Sequence, residues 1–270
     1  MDIEKKFALL IDADNISPKY LSVMLDEARR YGDINIRRIY GDWTDVGKKT
    51  WKDILLDNSI IPIQQYSYTT GKNASDSAMI IDAMDILYSN AIDGFIIASS
   101  DSDFTRLAMR LREAGKNVVG MGESKTPAAF VKACEEFKIL DVIFKNTLPE
   151  EEQKVISETT QPDKESSDEN NEIVPITDLG EIKKSISDIL EKHSDEEGKM
   201  LLSELGRLLT KAHPDFDERN YGRYRKFSEF IKSMSEFEIE MARFEGNTKP
   251  PLAYVKVKKV RYSYLPTTEY

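Results

Sequence analysis

The chain has 270 residues, a formal net charge of −10 and a single cysteine, Cys134. One cysteine excludes an internal disulfide, and the two histidines do not supply the usual spacing of a zinc site. Residues 150–172 carry 2 basic and 9 acidic residues, and the stretches on either side are close to neutral, so the overall acidity does not argue against a nucleic-acid partner. Because we find no long apolar run and no signal-peptide pattern, we expect a cytoplasmic protein without a membrane partner.

Residues 7–143 alternate short apolar runs with longer amphipathic runs. Ser17-Pro18 and Thr126-Pro127 are typical helix starts, the second opening a helix over 126–138, and Gly115 ends a helix that begins near Phe104. This βαβα rhythm predicts an α/β domain with a parallel sheet and helices on both faces. The predicted strands are Phe7–Ile11, Ile34–Tyr40, Ile60–Gln65, Gly94–Ala98, Asn117–Met121 and Ile139–Phe144.

The rest of the chain divides into a polar tract and a second patterned region. Glu150–Glu172 has no periodicity and predicts a solvated, flexible linker. Beyond it, three runs with apolar residues at helical spacing precede two strand-like runs, Glu238–Phe244 and Ala253–Val260. This order predicts a small winged-helix-type α+β domain. The predicted boundaries are 1–147 for the first domain, 148–177 for the linker, 178–262 for the second domain and 263–270 for a tail.

Acidic residues stand where predicted elements meet: Asp12 follows the first strand, Asp101 and Asp103 follow the fourth, and Asp76 opens an amphipathic helix. In an open parallel sheet the carboxyl ends of the strands face one crevice, so we expect these carboxylates to converge. Each of them alone could be a turn or cap residue. Converging carboxylates repel one another unless they hold a cation or a proton. Their hard oxygen atoms predict a Mg²⁺ or Mn²⁺ site.

Four sequence blocks carry a resemblance to a known family: Leu10-Ile11-Asp12-Ala13-Asp14-Asn15, Lys72-Asn73-Ala74-Ser75-Asp76, Ile81-Asp82-Ala83-Met84 and Ser99-Ser100-Asp101-Ser102-Asp103-Phe104. They resemble the signature blocks of NYN domains, which are PIN-like ribonuclease folds. The resemblance covers residues 5–145 and implies that Asp12, Asp76 and Asp101 are the core catalytic, metal-binding acids. It further implies that Asp103 supports or ligates the metal and that Asn15 orients substrate or a ligand. Asp82 matches a recurrent family acid, but its helical phase leaves its role open.

The C-terminal part resembles a LOTUS domain, also called OST-HTH. The resemblance rests on Leu201-Leu202-Ser203-Glu204-Leu205, Asp215-Phe216, Tyr221-Gly222 and Phe227-Ser228-Glu229-Phe230-Ile231. Members of that family bind RNA or protein partners. An RNA-binding winged helix and a helical docking or dimer module therefore both stay open.

Together the two resemblances imply a metal-dependent ribonuclease, an endonuclease, that carries an accessory RNA-binding domain. RNA is the expected partner, and a protein partner through the C-terminal domain and a homodimer are left open. Basic residues on the predicted loop edge could steer a phosphate backbone, although each could equally be solvated surface: Lys48, Lys49, Lys52, Lys72, Arg106 and Lys125. The corresponding candidates in the second domain are Arg219, Arg223, Arg225, Lys226, Lys256, Lys258, Lys259 and Arg261.

Two other functions fit part of the pattern. Asp12-Ala13-Asp14 after a strand fits a haloacid-dehalogenase-type phosphatase in which Asp12 attacks phosphate covalently. That site would need Thr69 or Thr70, a lysine such as Lys72, and Asp101, and no cap insertion is visible. The chain could also be a non-catalytic RNA-binding or scaffold protein whose acids serve metal-stabilised folding. Phosphomonoester hydrolysis would favour the first of these functions, and RNA binding without cleavage under any divalent ion would favour the second.

Overall fold

A computed structural model describes residues 4–66, 74–89, 91–148, 176–242 and 251–258. The chain groups into two compact units: the first comprises Met1–Asp178 with His213–Arg223, and the second comprises Leu179–Ala212 with Tyr224–Tyr270. The linker predicted at 150–172 lies outside the described residues. Within the described part of the chain, no helix combines the length and the apolar character needed to cross a membrane.

The first unit is built on a six-stranded parallel sheet with the order β3-β2-β1-β4-β5-β6. Side chains of β1 alternate between two helix layers: Phe7, Leu9 and Ile11 belong to one core cluster, and Ala8 and Leu10 belong to the other. Because both faces of the sheet are covered, its central strands are continuous apolar runs. The strands are β1 Lys6–Asp12, β2 Asp33–Gly41, β3 Ile61–Gln64, β4 Gly94–Ala98, β5 Asn117–Gly122 and β6 Glu136–Ile139.

Six helices in the described part of this unit cover the sheet. They are α1 Leu21–Ala28, α2 Lys49–Leu55, α3 Ala74–Ser89, α4 Thr105–Glu113, α5 Ala128–Ala133 and α6 Leu140–Thr147. In α3 the residues Met79, Ala83 and Leu87 recur every four positions and form the buried stripe of an amphipathic helix. After α4 the chain turns at Gly115, whose φ of +75° favours glycine, as its position in the sequence predicts.

The structure corrects the sequence prediction over residues 126–144. The predicted helix ends early, because α5 stops at Ala133 and Cys134 is already extended. Glu135 then donates its N–H to the carbonyl of Val118 at 2.9 Å, and the chain continues as β6 on the sheet edge. The predicted strand Ile139–Phe144 is instead mostly the helix α6. Gly120 on β5 makes room for this edge strand, since a Cβ there would lie 2.4 Å from the ring of Phe137.

The second unit has the predicted α+β content. Its elements are α7 Leu179–His193, β7 Met200–Leu201, α8 Leu202–Ala212, α9 Phe227–Ser233, β8 Phe237–Ala242 and β9 Leu252–Val257. The strands form an antiparallel sheet in the order β7-β9-β8. Helix α7 buries Ile182, Ile186 and Leu190 on one face. The two long strands coincide closely with the predicted runs, so the winged-helix-type pattern of this region is confirmed.

Residues 213–223 pack as part of the first unit, although they follow α8 in the sequence. Phe137 donates its N–H to the carbonyl of Pro214 at 2.7 Å, which attaches this stretch to β6. The predicted boundaries placed these residues in the second domain, because they lie between two of its predicted helices. The predicted domain boundaries stay a prediction, since hydrophobic patterning does not reveal where an irregular stretch packs.

Four charged residues hold that stretch in place, and we call them the ion-pair group: Glu27, Lys138, Asp217 and Arg219. Arg219 donates to the two carboxylate oxygens of Glu27 at 2.6 and 2.8 Å. Asp217 accepts from Lys138 Nζ at 3.0 Å and from Arg219 Nη2 at 2.7 Å. No side chain of the group is more than 16% exposed. Charges this well buried and paired are held by geometry that a single substitution would break.

Candidate functional site

The acids of the sequence blocks meet at one edge of the parallel sheet. β1 and β4 are hydrogen-bonded neighbours, so the loops that follow Asp12 and Ala98 leave the sheet side by side. Asp76 stands in the first turn of α3. Carboxylate oxygens of Asp76, Asp101 and Asp103 lie within 4.8 Å of one another, and we call these three residues the acid cluster. The expectation that separate elements bring these acids together is met for this cluster.

Asp12 lies beside the cluster, buried and saturated with hydrogen bonds. It is 1% exposed. Its Oδ1 accepts from the backbone N–H groups of Asp14 at 3.0 Å and Asn15 at 3.3 Å. Its Oδ2 accepts from Asn15 Nδ2 at 2.8 Å and from Ser99 Oγ at 2.7 Å. A carboxylate accepts about four hydrogen bonds, so Asp12 is fixed in one orientation and its oxygens are already engaged.

Burial and mutual repulsion raise the pKa values of two of these acids. Burial is the main cause of a raised pKa at Asp12, and the hydrogen bonds from Ser99 and Asn15 work against it. The pKa of Asp76 is raised to about 7 by burial first, and then by the negative charges of Asp12, Asp101, Asp103 and Asp14. A buried carboxylate that faces four other acids indicates a place where a cation would be stabilised.

Ser99 is a site residue that the sequence reasoning did not single out. It is fully buried directly after β4. Its hydroxyl donates to Asp12 at 2.7 Å and accepts the backbone N–H of Asp101 at 3.0 Å. Asp101 in turn accepts the N–H of Asp103 at 2.9 Å, which begins the turn Ser102–Phe104. The available signal was a hydroxyl residue that ends a fully apolar strand beside two acids.

The structure separates the predicted basic residues into different classes. Lys48 is buried and bonded to Asp14, so it is not part of the solvated surface, and its predicted contact with substrate stays a prediction. Lys49 and Arg106 are exposed, and Lys125 is exposed with an ion pair to Glu123 at 3.0 Å. Lys72 lies outside the described residues.

Asp82 has a structural environment. Its two oxygens accept from Arg38 and from the hydroxyl of Tyr40, both on β2, which ties α3 to the sheet. Burial, followed by the hydrogen bond to Asp82, raises the pKa of Tyr40. The helical phase that set Asp82 apart from the face of Asp76 agrees with this position.

The predicted basic residues after residue 212 also fall into two groups, those engaged in ion pairs and those that are exposed. Arg219 belongs to the ion-pair group, so its guanidinium group is already engaged by Glu27 and Asp217, and a contact with RNA stays an untested candidate. Arg223, Arg225 and Lys226 are exposed ahead of α9. Lys256 pairs with Glu238 at 3.1 Å and also with Glu240, which neutralises this part of the hairpin. Lys259 and Arg261 lie outside the described residues.

Comparison with known proteins identifies both parts of the chain. The family model of the NYN domain matches residues 6–141, about half of the chain. The chain therefore belongs to the NYN domain family. The OST-HTH/LOTUS domain matches residues 177–247. These assignments agree with the resemblances carried by the sequence blocks.

Individual relatives are distant. An uncharacterized protein of Methanocaldococcus jannaschii is 28% identical over 123 residues, which cover 44% of this chain and 48% of that protein. The match thus spans about half the length of this curated relative. Among solved structures, a protein of unknown function from Vibrio parahaemolyticus superposes with a TM-score of 0.45 at 19% identity, covering 53% of this chain and 98% of that chain.

The two domains define the coarse chemistry. An NYN domain indicates a nuclease-type hydrolase, and a LOTUS domain indicates RNA binding. Nucleases of this class generally use divalent metal ions, and an aspartate cluster is present. The phosphatase alternative gains no support, because the oxygens of its nucleophile Asp12 are engaged by four donors. Its further requirements, Thr69, Thr70 and Lys72, lie outside the described residues.

Proposed function

We propose that the protein is a metal-dependent endoribonuclease whose active site is the acid cluster together with Asp12. The observation that carries the proposal is the approach of the carboxylates of Asp76, Asp101 and Asp103 to within 4.8 Å on a sheet edge of an NYN domain. The raised pKa of Asp76 supports it, because carboxyl groups whose pKa is raised by burial and by neighbouring acids concentrate at functional sites.

The donor set fits Mg²⁺ or Mn²⁺. All three cluster residues offer carboxylate oxygens, the hard ligands that these ions prefer, and no soft ligand takes part in the cluster. Asp76, Asp101 and Asp103 would hold the ion, whereas Asp12 could reach it only by exchanging one of its four hydrogen bonds. When bound, such an ion activates water and neutralises charge on the phosphate that is cleaved.

The chain's own residues supply the preorganisation. Ser99 and the side chain of Asn15 both donate to Oδ2 of Asp12, so this carboxylate is held beside the cluster by protein donors and not by solvent. The turn Ser102–Phe104 orients Asp101 and Asp103 before α4 begins. Side chains fixed in this way need little reorganisation when RNA binds, which is how a preorganised site lowers a barrier.

The second unit is proposed as the accessory RNA-binding part. The LOTUS match supports RNA binding, and the exposed Arg225 and Lys226 offer positive charge at the start of α9. Phosphate contacts of this kind add affinity without sequence preference. The predicted boundaries 1–147 and 178–262 stay a proposal along the sequence, and residues 213–223 within the second range pack with the first unit.

The decisive experiment is cleavage of labelled RNA by the pure full-length protein. Linear structured RNA, linear unstructured RNA and a circular RNA are incubated with Mn²⁺, Mg²⁺ or EDTA, beside the Asp101→Asn variant. We expect the wild-type protein to cut the circular RNA with metal only, and the variant to be inactive. Binding of RNA without cleavage under every metal would replace this proposal with the non-catalytic RNA-binding alternative.

A further inference from the structure

Lys48 is a buried cation next to an acidic site. It lies at the end of the short turn Val46–Lys48 that follows β2, and it is 8% exposed. Its ammonium group contacts Oδ1 of Asp14, whose side chain is 43% exposed. A lysine loses much hydration on burial, so a position this enclosed needs a fixed anionic partner.

Asp14 connects Lys48 to the start of α3 and to Asp12. Its Oδ2 accepts from Ser75 Oγ at 2.7 Å, and Ser75 directly precedes Asp76 in the first turn of α3. Its backbone N–H donates to Asp12 at 3.0 Å. Three chain segments, which follow β1, follow β2 and open α3, therefore meet through one carboxylate. We call this arrangement the Lys48–Asp14–Ser75 link.

Gly41 leaves space for the side chain of Lys48, because it has no side chain of its own. A Cβ at this position would lie 2.9 Å from Cε of Lys48 and 3.2 Å from Cβ of Ala13. The backbone at Gly41 has no positive φ, so the need for glycine is one of space alone. A methyl group here would push the end of the lysine side chain, which is the flexible partner in that contact, away from Asp14.

We propose that Lys48 is a positioning residue for the acid cluster and not an RNA contact. The inference rests on the proposed nuclease function. By neutralising and holding Asp14, Lys48 keeps the loop after β1 fixed to the first turn of α3. The link thereby sets where Asp76 stands relative to Asp101 and Asp103. Loss of the link shifts Asp76, and a small misplacement of a reacting group is costly to a catalysed rate.

Steady-state RNA cleavage by the full-length protein tests the role of the side chain. In Lys48→Met we expect kcat to fall about 10- to 100-fold while KM for RNA stays within about threefold, because the residue acts through Asp76. Lys132→Met, an exposed lysine on α5, is the matched control and should behave as the wild type. A raised KM, an unchanged kcat and a salt dependence reduced by about one charge would show that Lys48 contacts RNA, and would overturn the proposal.

A second arm uses no RNA and changes no charge. Binding of Mn²⁺ alone to Gly41→Ala is measured by calorimetry well below the unfolding temperature. We expect affinity at least about threefold weaker than wild type, because the displaced lysine loosens the link. Gly206→Ala on α8 is the control, since its added methyl would meet Phe227 at an ordinary 3.4 Å. Wild-type Mn²⁺ affinity in Gly41→Ala would refute the positioning role.

The two arms separate this inference from the function on which it rests. If the wild-type protein cuts no RNA, the proposed function fails, and the Mn²⁺ arm alone decides the role of Lys48. If Lys48→Met does not fold, the double variant Lys48→Met/Asp14→Asn removes both charges and avoids a buried unpaired ion. Wild-type Mn²⁺ affinity and kcat in that double variant would also refute the proposal.

Discussion

Two groups of charged residues in the first unit differ in how their buried acids are surrounded. In the ion-pair group every acid meets a base: Glu27 binds Arg219, and Asp217 binds Arg219 and Lys138. In the acid cluster, carboxylates meet other carboxylates. Burial opposes the charge on Asp217, but Arg219 and Lys138 lower its pKa below the usual range. Burial and like charges instead raise the pKa of Asp76 to about 7.

The comparison teaches that burial alone does not reveal what an acid is for. Asp76 and Asp217 are 6% and 4% exposed, so solvent access does not distinguish them. The distinction lies in the sign of the neighbouring charges. A group in which acids meet bases is expected to affect stability when it is broken, whereas a group in which acids meet acids is expected to affect activity and metal binding. The predictions below test that division, in order of expected effect.

The largest effect is expected for Asp101→Asn. We expect RNA cleavage to fall by at least about 10³-fold, equivalent to about 4 kcal/mol, because a ligand charge of the cluster is lost. The asparagine oxygen can still accept the N–H of Asp103, so the turn is kept. In EDTA the melting temperature should stay level or rise, and stabilisation by added Mn²⁺ should shrink.

Asp82→Asn is the matched control for that substitution. It removes an acid of α3 that is bonded to Arg38 and Tyr40 and lies outside the acid cluster. Its cleavage rate should stay within about tenfold of wild type, while stability falls. Greater damage to cleavage from Asp82→Asn than from Asp101→Asn would falsify the assignment of the site.

Breaking the ion-pair group should cost stability. Arg219→Ala leaves Glu27 and Asp217 buried without their partner, and we expect the free energy of unfolding to fall by about 3–5 kcal/mol. Urea unfolding of the full chain measures this loss. Arg29→Ala removes a surface pair with Asp26 in which the side chains are 60% and 68% exposed, and it should cost under about 1 kcal/mol. Equal losses in the two variants would contradict the distinction drawn here.

Ser99→Ala should lower both stability and RNA cleavage, each by a smaller amount. It deletes the buried hydroxyl that donates to Asp12 at 2.7 Å, so we expect a loss of about 1–3 kcal/mol in stability. Cleavage should fall less than in Asp101→Asn, because three donors still hold Asp12. Thermal melting and initial cleavage rates at saturating Mn²⁺ are the measurements. Activity lost as completely as in Asp101→Asn would mean that Ser99 itself takes part in the chemistry.

The ion-pair group also predicts a pH dependence. The pKa of Asp217 is lower in the folded protein than in the unfolded chain, where it is about 3.9. Its contribution to stability is therefore present above pH ~4 and is lost as the pH falls toward the folded pKa, with a slope of up to about 1.4 kcal/mol per pH unit. In Asp217→Asn the urea midpoint should change less steeply below pH ~4 than in the wild type. A wild-type slope in Asp217→Asn would count against the pairing.

The smallest effect is expected in the second unit. Arg225→Ala and Lys226→Ala should each weaken RNA binding a few-fold and reduce the salt slope of log K by about one. Fluorescence anisotropy at several salt concentrations gives both quantities. Lys192→Ala, an exposed lysine late in α7, is the control. Salt-independent binding would indicate that this unit docks a protein instead.

The sequence predicted most of the sheet because its signals are local. Five of the six strands were predicted within two residues at each end, since an apolar run between turn residues identifies a buried strand. The prediction of the sixth strand failed because the chain changes from helix to strand and back to helix within a few residues. Cys134 leaves the helix, and β6 depends on the space above Gly120 on another strand. A contact between distant residues leaves no local pattern.

The same division holds for the candidate site. The sequence blocks alone predicted that Asp12, Asp101 and Asp103 meet at one edge, because parallel strands place their carboxyl ends there, and that Asp76 joins them from the start of a helix. Only the tertiary structure decided the state of each side chain. In the folded protein, Ser99 supplies one of the hydrogen bonds to Asp12, and Lys48 is buried against Asp14. Arg219, a candidate RNA contact in the sequence, pairs with Glu27 in the ion-pair group. The physical reason is that the charge state and role of an ionisable group depend on its neighbours in space, and these come from segments far apart in the chain.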